Sequence, residues 1–347
     1  MDDQLDWLMQ GDAAIRWQTM RSLLGAPEAE WQAERQRTLT TGWGAQFLAR
    51  QDADGRWGSG IYAHKWISTT YTLLNLCSIG VPPDCAPARR GAELVVGTML
   101  GKTCDAVFYK NLAACDRCIV GMMLRIGINF GIDAERIEAM ADNLINEVMP
   151  DGAWNCRRYR PEKPEHSSFH TTFNVLEGLR EYIETGESRR SAGEIGMHEQ
   201  AARAAEQRAL EWSLDHRLFK SHRTGAVIDP NFTYLSFPPY WFYDVLRGLV
   251  YFARVKVTKD TIATPLRDER LQDAIDMLQS KRRADGTWPV QHKHSGMVFF
   301  DMEKTGGPSR WNTLRALQVL RWWEGAGKDA PSGQGEHTGS PVSGAVL

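Results

Sequence analysis

Three times along the chain an amphipathic run ends in the same short punctuation, Asp-Gly-x-Trp: at Asp54-Gly55-Arg56-Trp57, Asp151-Gly152-Ala153-Trp154 and Asp285-Gly286-Thr287-Trp288. The runs before them close on Phe47-Leu48, on Ile145 to Met149 and on Met277-Leu278. Each turn leads through a polar loop to a start rich in Ser and Thr: Ser68-Thr69-Thr70, Ser167-Ser168-Phe169-His170-Thr171-Thr172, and Ser309-Arg310-Trp311-Asn312-Thr313. Asp-Gly makes a turn that can visit positive φ. The Trp can cover that turn while its indole N–H finds an acceptor, and Ser or Thr can cap the helix that follows. The unit is helix, turn, loop, helix, and a unit repeated in one context dictates a repetitive architecture.

Apolar spacing near 3.6 residues predicts helices over 14–24, 43–50, 69–78, 90–100, 116–127, 134–149, 171–185, 202–214, 240–255, 268–281 and 309–324. No strand pattern competes. Amphipathic members alternate with apolar, small-residue members such as Cys118-Ile119-Val120-Gly121-Met122-Met123-Leu124. That alternation predicts outer and inner helices of a closed double ring. One all-α domain is therefore expected over 1–325, with 326–347, rich in Gly, Ser and Pro, as a disordered tail.

The chain carries 41 Lys+Arg against 43 Asp+Glu in 347 residues, without the basic excess of a nucleic-acid surface. No stretch approaches the ~18 apolar residues of a membrane span, and the acidic start Met1-Asp2-Asp3 is no secretory leader. Six irregularly spaced cysteines then read as reduced thiols or metal ligands, and the expected compartment is a reducing cytoplasm.

The Asp-Gly-x-Trp units between helix pairs resemble the repeats of the α/α-toroid superfamily, which holds terpenoid cyclases of the squalene–hopene type and protein prenyltransferase β-subunits. The resemblance covers residues 40 to 325 and implies a single (α/α)6 toroid, with the inner helices pointing their N-termini at one mouth of a central cavity. The Asp-x-Asp-Asp cluster of the proton-initiated cyclases is absent, and candidate acids such as Asp105, Asp229, Asp244 and Asp301 stand alone. The prenyltransferase β-subunits hold zinc through an Asp-x-Cys opening one inner helix and a His opening a later one. Asp116-Arg117-Cys118 and Phe169-His170-Thr171 match that order across the second turn. The resemblance thus implies Asp116, Cys118 and His170 as zinc ligands. Cys156, Cys115 or His166 are candidates to complete the set. Carboxylate, thiolate and imidazole are all donors that zinc accepts, and bound zinc would ionise a substrate thiol or activate water or a carbonyl.

Other candidates stand at the remaining inner-helix starts. Tyr62, His64, Lys65 and Trp66 precede one; Trp241, Tyr243 and Asp244 precede another; Arg310 and Trp311 open the last. His64, Tyr243 and Asp244 are read as catalytic candidates, and Tyr62, Lys65, Trp241, Arg310 and Trp311 as binding candidates, since aromatics and cations at a mouth suit apolar, cationic or anionic ligands. His292-Lys293-His294 is read as a solvated loop. The leading expectation is a zinc-dependent enzyme acting on a small, apolar or thiol-containing substrate. The alternatives are a metal-free cyclase or isomerase with an acid such as Asp244, and a non-catalytic ligand-binding protein.

Overall fold

The computed structural model describes residues 2–100, 112, 115–156, 165–189, 196–255 and 268–325. The expected tail at 326–347 and the candidate acid Asp105 lie outside them. In chain order the α-helices are α1 (Asp2–Met9), α2 (Ala13–Thr19, continued by a π turn to Leu24), α3 (Glu28–Gln36), α4 (Gly42–Leu48), α5 (Thr69–Ile79) and α6 (Ala86–Leu100). They continue as α7 (Arg117–Asn129), α8 (Ala134–Asn146), α9 (Phe169–Arg189), α10 (Met197–Asp215), α11 (Val245–Arg254), α12 (Gln272–Ser280) and α13 (Arg310–Gly325). The protein is all-α; a two-residue antiparallel pair, Trp288-Pro289 with Pro308-Ser309, ties the third turn to the start of α13.

The eleven expected helices are present, with two changes. The 240–255 helix begins only at Val245, because Asp244 caps it, its carboxylate accepting from Arg247 N–H at 2.9 Å. Helices α1 and α3 lacked a periodic signal: α3, Glu-Ala-Glu-Trp-Gln-Ala-Glu-Arg-Gln, buries no residue fully.

Burial divides the helices in two. Helix α5 is buried at every position from Thr69 to Cys77, and α7 at every position from Ile119 to Leu124. Helix α8 buries Met140, Ala141 and Leu144, one narrow stripe, and α12 buries Ala274, Ile275 and Leu278. A helix apolar all round must be covered all round, whereas a striped helix needs one partner face. Accordingly α5 contacts α6 and α7, α7 contacts α8 and α9, and α9 contacts α10. The succession returns to its beginning: α13 packs on both α1 and α2. Arg315 on α13 donates to Gln18 of α2 at 2.5 Å, and Trp17 of α2 donates to the Ile79 carbonyl of α5 at 2.8 Å.

The three turns are structurally equivalent, as their sequences require. The indole N–H of Trp57 donates to Phe47 O at 2.7 Å, that of Trp154 to Leu144 O at 2.9 Å, and that of Trp288 to Leu278 O at 2.7 Å. The backbone N–H of each Trp donates to a hydroxyl in the following helix: Thr69 at 3.0 Å, Thr172 at 3.2 Å and Thr313 at 2.9 Å. The glycines have φ of 91°, 103° and 79°, left-handed values that explain the invariant turn residue. All three indoles are 0 % exposed. Each Trp therefore fastens the end of one helix to the start of the next.

Candidate functional site

The second turn delivers a cysteine. With Trp154 pinned at its ring and its backbone, Cys156 two residues later is carried to the first turns of α7 and α9. There its Sγ lies 3.0 Å from Cys118 Sγ and 3.2 Å from Thr171 Oγ1. The two first turns are adjacent because α7 and α9 approach at glycines. A Cβ on Gly121 would meet the Asn174 carbonyl at 2.4 Å, and one on Gly178 the Gly121 carbonyl at 2.5 Å. Cys118 stands one turn before Gly121, so this close approach sets the sulphur spacing.

Both thiols are half-buried, yet their environments differ. The sulphur–sulphur hydrogen bond, then burial and the nearby Asp116 carboxylate, hold the Cys118 thiol well above its ordinary value. The same hydrogen bond draws Cys156 below its ordinary value, against burial and Asp116, with help from the Thr171 hydroxyl. A hydrogen bond to the charged form favours that form. In the neutral pair Cys156 Sγ donates to Cys118 Sγ; the opposed shifts make Cys156 the thiol that ionises first, its thiolate then accepting from Cys118.

His170 goes elsewhere. Its Nδ1 accepts the backbone N–H of Tyr243 at 2.9 Å, and its ring packs against Phe232, Trp241 and Phe242. Burial, then the Arg247 charge, lowers its pKa to about 4, so the ring is neutral near pH 7. A neutral imidazole whose Nδ1 accepts must carry its proton on Nε2, which leaves no lone pair for a metal. Among the described residues no group of three or more His, Cys, Asp or Glu side chains is disposed to hold a metal ion. The structure brings Cys118 and Cys156 together near Asp116, while the Nδ1 of His170, the other implied zinc donor, is engaged by Tyr243. Cys115 is buried, and His166 is exposed, its carbonyl accepting from Asn155 at 2.7 Å.

The remaining candidates have structural partners. Asp244 is saturated: besides capping α11 it accepts from Ser236 N–H at 3.0 Å and from Ser236 Oγ at 2.7 Å. Tyr243 is buried and donates to Leu218 O at 2.7 Å. His64 is exposed at φ 63°. Tyr62 rests on Tyr71, and the Lys65 ammonium lies 5.5 Å from the Trp66 ring centre and 5.3 Å from that of Trp241. Arg310 binds the Trp7 carbonyl at 2.9 Å and lies over its ring, fastening α13 to α1. Trp311 stacks on Phe237 at 4.5 Å.

Two features escaped the sequence. The His292-Lys293-His294 loop, expected in solvent, turns His294 inward to 9 % exposure, where its ring stacks on Phe242 at 3.9 Å. It lines a cavity of about 20 Å³ with Asn75, Trp66, Tyr240, Phe300 and Glu303, room for about one water. Burial raises the Glu303 carboxyl, although Ser309 Oγ and Trp311 N–H both donate to it. The second feature is a charged interior. Arg247 pairs with Glu177 at 2.6 Å and Arg125 with Glu177 at 2.8 Å; at its exposed edge Arg254 pairs with Glu181 at 3.1 Å and Glu184 at 2.5 Å. The available signal was Glu177 itself, a carboxylate inside the otherwise apolar Val175-Leu176-Glu177-Gly178-Leu179 of a buried helix.

No helix among the described residues is long and apolar enough to cross a membrane. Compared with known protein families, curated proteins and solved structures, the chain finds no match.

Proposed function

We propose that the chain is an (α/α)6 toroid and that it is a thiol-dependent enzyme. Cys118 and Cys156 are its dithiol, exchanging with the disulfide bond of a small organic substrate. The alternation of fully buried and striped helices, and the return of α13 onto α1 and α2, support the architecture. The reaction rests on one observation: two half-buried sulphurs from separate segments meet at 3.0 Å. Closing that gap to the ~2.05 Å of a disulfide needs a shift of only about 1 Å.

In the forward step the Cys156 thiolate attacks one sulphur of the substrate disulfide, forming a mixed disulfide and releasing one substrate thiolate. Cys118 then loses its proton and attacks the Cys156 sulphur, releasing the second. Two protein thiols are oxidised and one disulfide is reduced to two thiols. The lower pKa of Cys156 suits it to attack, and the higher one of Cys118 to resolve. A cyclase reading has less support, because Asp244 is saturated and the interior carries Arg125, Arg247 and Glu177 rather than an apolar wall.

The test is exposure of the reduced protein to oxidised glutathione, followed by thiol counting and intact mass. Two thiols and two hydrogens should be lost together. Cys118→Ser should stop at a mixed disulfide on Cys156, and Cys156→Ser should react far more slowly. Thiols that stay reduced because the pair holds about one zinc ion per chain, released only by a chelator, would overturn the dithiol reading.

A further inference from the structure

The end of α10 carries an imidazole pair that neither the thiol site nor the charged interior uses. His216 follows the last residue of α10, and Arg217 and Leu218 then take left-handed φ of 45° and 66°, which reverses the chain. The reversal is pinned on both sides. Phe219 N–H and Lys220 N–H donate to the His216 carbonyl at 2.9 and 2.7 Å, and Ser221 N–H donates to Ala226 O at 2.8 Å. His222 is thereby carried back over the helix end. Its Nδ1 lies 3.0 Å from His216 Nε2, and the two rings meet edge to face with 4.7 Å between centres.

The acceptors fix the protons. The Trp212 carbonyl, 2.7 Å from His216 Nδ1, can only accept, so Nδ1 carries the proton. Burial lowers the His216 pKa, against that carbonyl, and the ring is neutral near pH 7 with its lone pair on Nε2. The ring is held in place by Trp212 and Phe169, whose ring centres lie 4.6 and 5.9 Å away. An imidazole tied to a backbone carbonyl by one nitrogen, with a lone pair on the other, is an oriented metal ligand. His222 is exposed, and moving its proton from Nδ1 to Nε2 frees a second lone pair beside the first.

The spacing selects the ion. With metal–nitrogen bonds of ~2.0–2.1 Å, two nitrogens 3.0 Å apart subtend about 90–97° at the metal. A tetrahedral zinc site wants about 109°, whereas a cis pair near 90° suits tetragonal copper(II) or nickel(II).

We propose that His216 and His222 are the cis ligands of one tetragonal divalent ion of the nickel(II) or copper(II) class, with water in the remaining positions. Two side chains fall short of a group that would enclose an ion, so the site stays open to solvent. It uses neither Cys118 nor Cys156 and does not depend on the dithiol reading.

Nickel(II) is the probe, since copper(II) would oxidise the thiols. Untagged protein titrated by calorimetry should bind about one nickel(II) ion per chain, and saturating metal should raise the melting temperature. His222→Ala, a change at an exposed side chain, should keep the metal-free melting temperature and weaken nickel(II) binding at least about tenfold, as should His216→Gln. Zinc(II) should bind more weakly than nickel(II), and Cys156→Ser protein should bind nickel(II) as the parent does. No saturable site, both His variants binding like the parent, tighter binding of zinc(II) than of nickel(II), or loss of the site in Cys156→Ser would each overturn the proposal.

Discussion

Trp154→Phe isolates the fastening device of the repeated turn. The substitution keeps an aromatic ring in a site of 0 % exposure and removes the indole N–H that reaches Leu144 O at 2.9 Å. The Leu144 carbonyl also accepts the Glu147 backbone N–H at 3.3 Å, so the variant removes one of its two hydrogen bonds rather than stranding it. Losing one such bond costs about 0.5–1.5 kcal/mol. The lost part of the indole leaves a void whose transfer and packing terms add about 1–2 kcal/mol. The expected sum is about 1.5–3.5 kcal/mol, a sizeable part of a typical folding free energy of ~5–15 kcal/mol. Trp57→Phe and Trp288→Phe repeat the experiment in the same geometry, with bonds of 2.7 Å each. Urea unfolding followed by far-UV circular dichroism reads all three without relying on Trp emission. All three midpoints should fall by similar amounts. A cost below about 1 kcal/mol at each site, no more than the lost ring volume alone would cost, would refute the reasoning that the indole bonds fasten the turns.

Three further outcomes can be measured on the same footing. Gly121→Ala should destabilise by about 1–3 kcal/mol in urea despite the better helix propensity of Ala, because its Cβ would meet the Asn174 carbonyl at 2.4 Å and backbone cannot rotate away. A midpoint equal to or above the parent's would contradict that packing. Glu206→Gln should cost about 3–5 kcal/mol, since Glu206 is fully buried between Arg180, whose Nε lies 2.8 Å from it, and the Tyr251 hydroxyl, so the variant strands a buried guanidinium. A loss under about 1 kcal/mol, the scale of an exposed pair, would count against a buried pair.

Acidification should also destabilise the fold through His294. Burial, then the His292 and His170 charges, holds it at about 3. Between its unfolded value near 6.5 and that value the unfolded chain binds the extra proton. Its contribution is thus complete above about pH 6.5 and is lost as pH falls towards 3. The urea midpoint should drop between about pH 7 and about pH 5 by less in His294→Phe than in the parent; equal drops would refute the assignment.

How much of this was legible beforehand can be argued from particular residues. Trp57, Trp154 and Trp288 announced both their turns and their covered rings, because a turn and its cap are local: the interacting groups lie ten residues back and 12 to 25 residues forward. The buried face of α7 was likewise visible in its apolar, small-residue run Cys118 to Leu124. His170 shows the limit. Its position in the first turn of a helix was correct, yet the direction of its ring depends on Tyr243, seventy-three residues on, whose N–H captures Nδ1. Asp244 has the same history: an isolated acid in the sequence, it is consumed by Ser236 and by its own helix end.

The sequence alone determined the helical repeat, the turn chemistry and the pairing of Asp116 with Cys118 at one helix start, since these follow from periodicity and short-range bonding. Tertiary structure decided which side chains meet. It joined Cys156 to Cys118, turned His294 inward, and gathered Arg125, Arg247 and Arg254 around the carboxylates of one helix. Such meetings depend on how closely backbones approach at residues such as Gly121 and Gly178. That distance is set by packing between helices, which no single helix encodes.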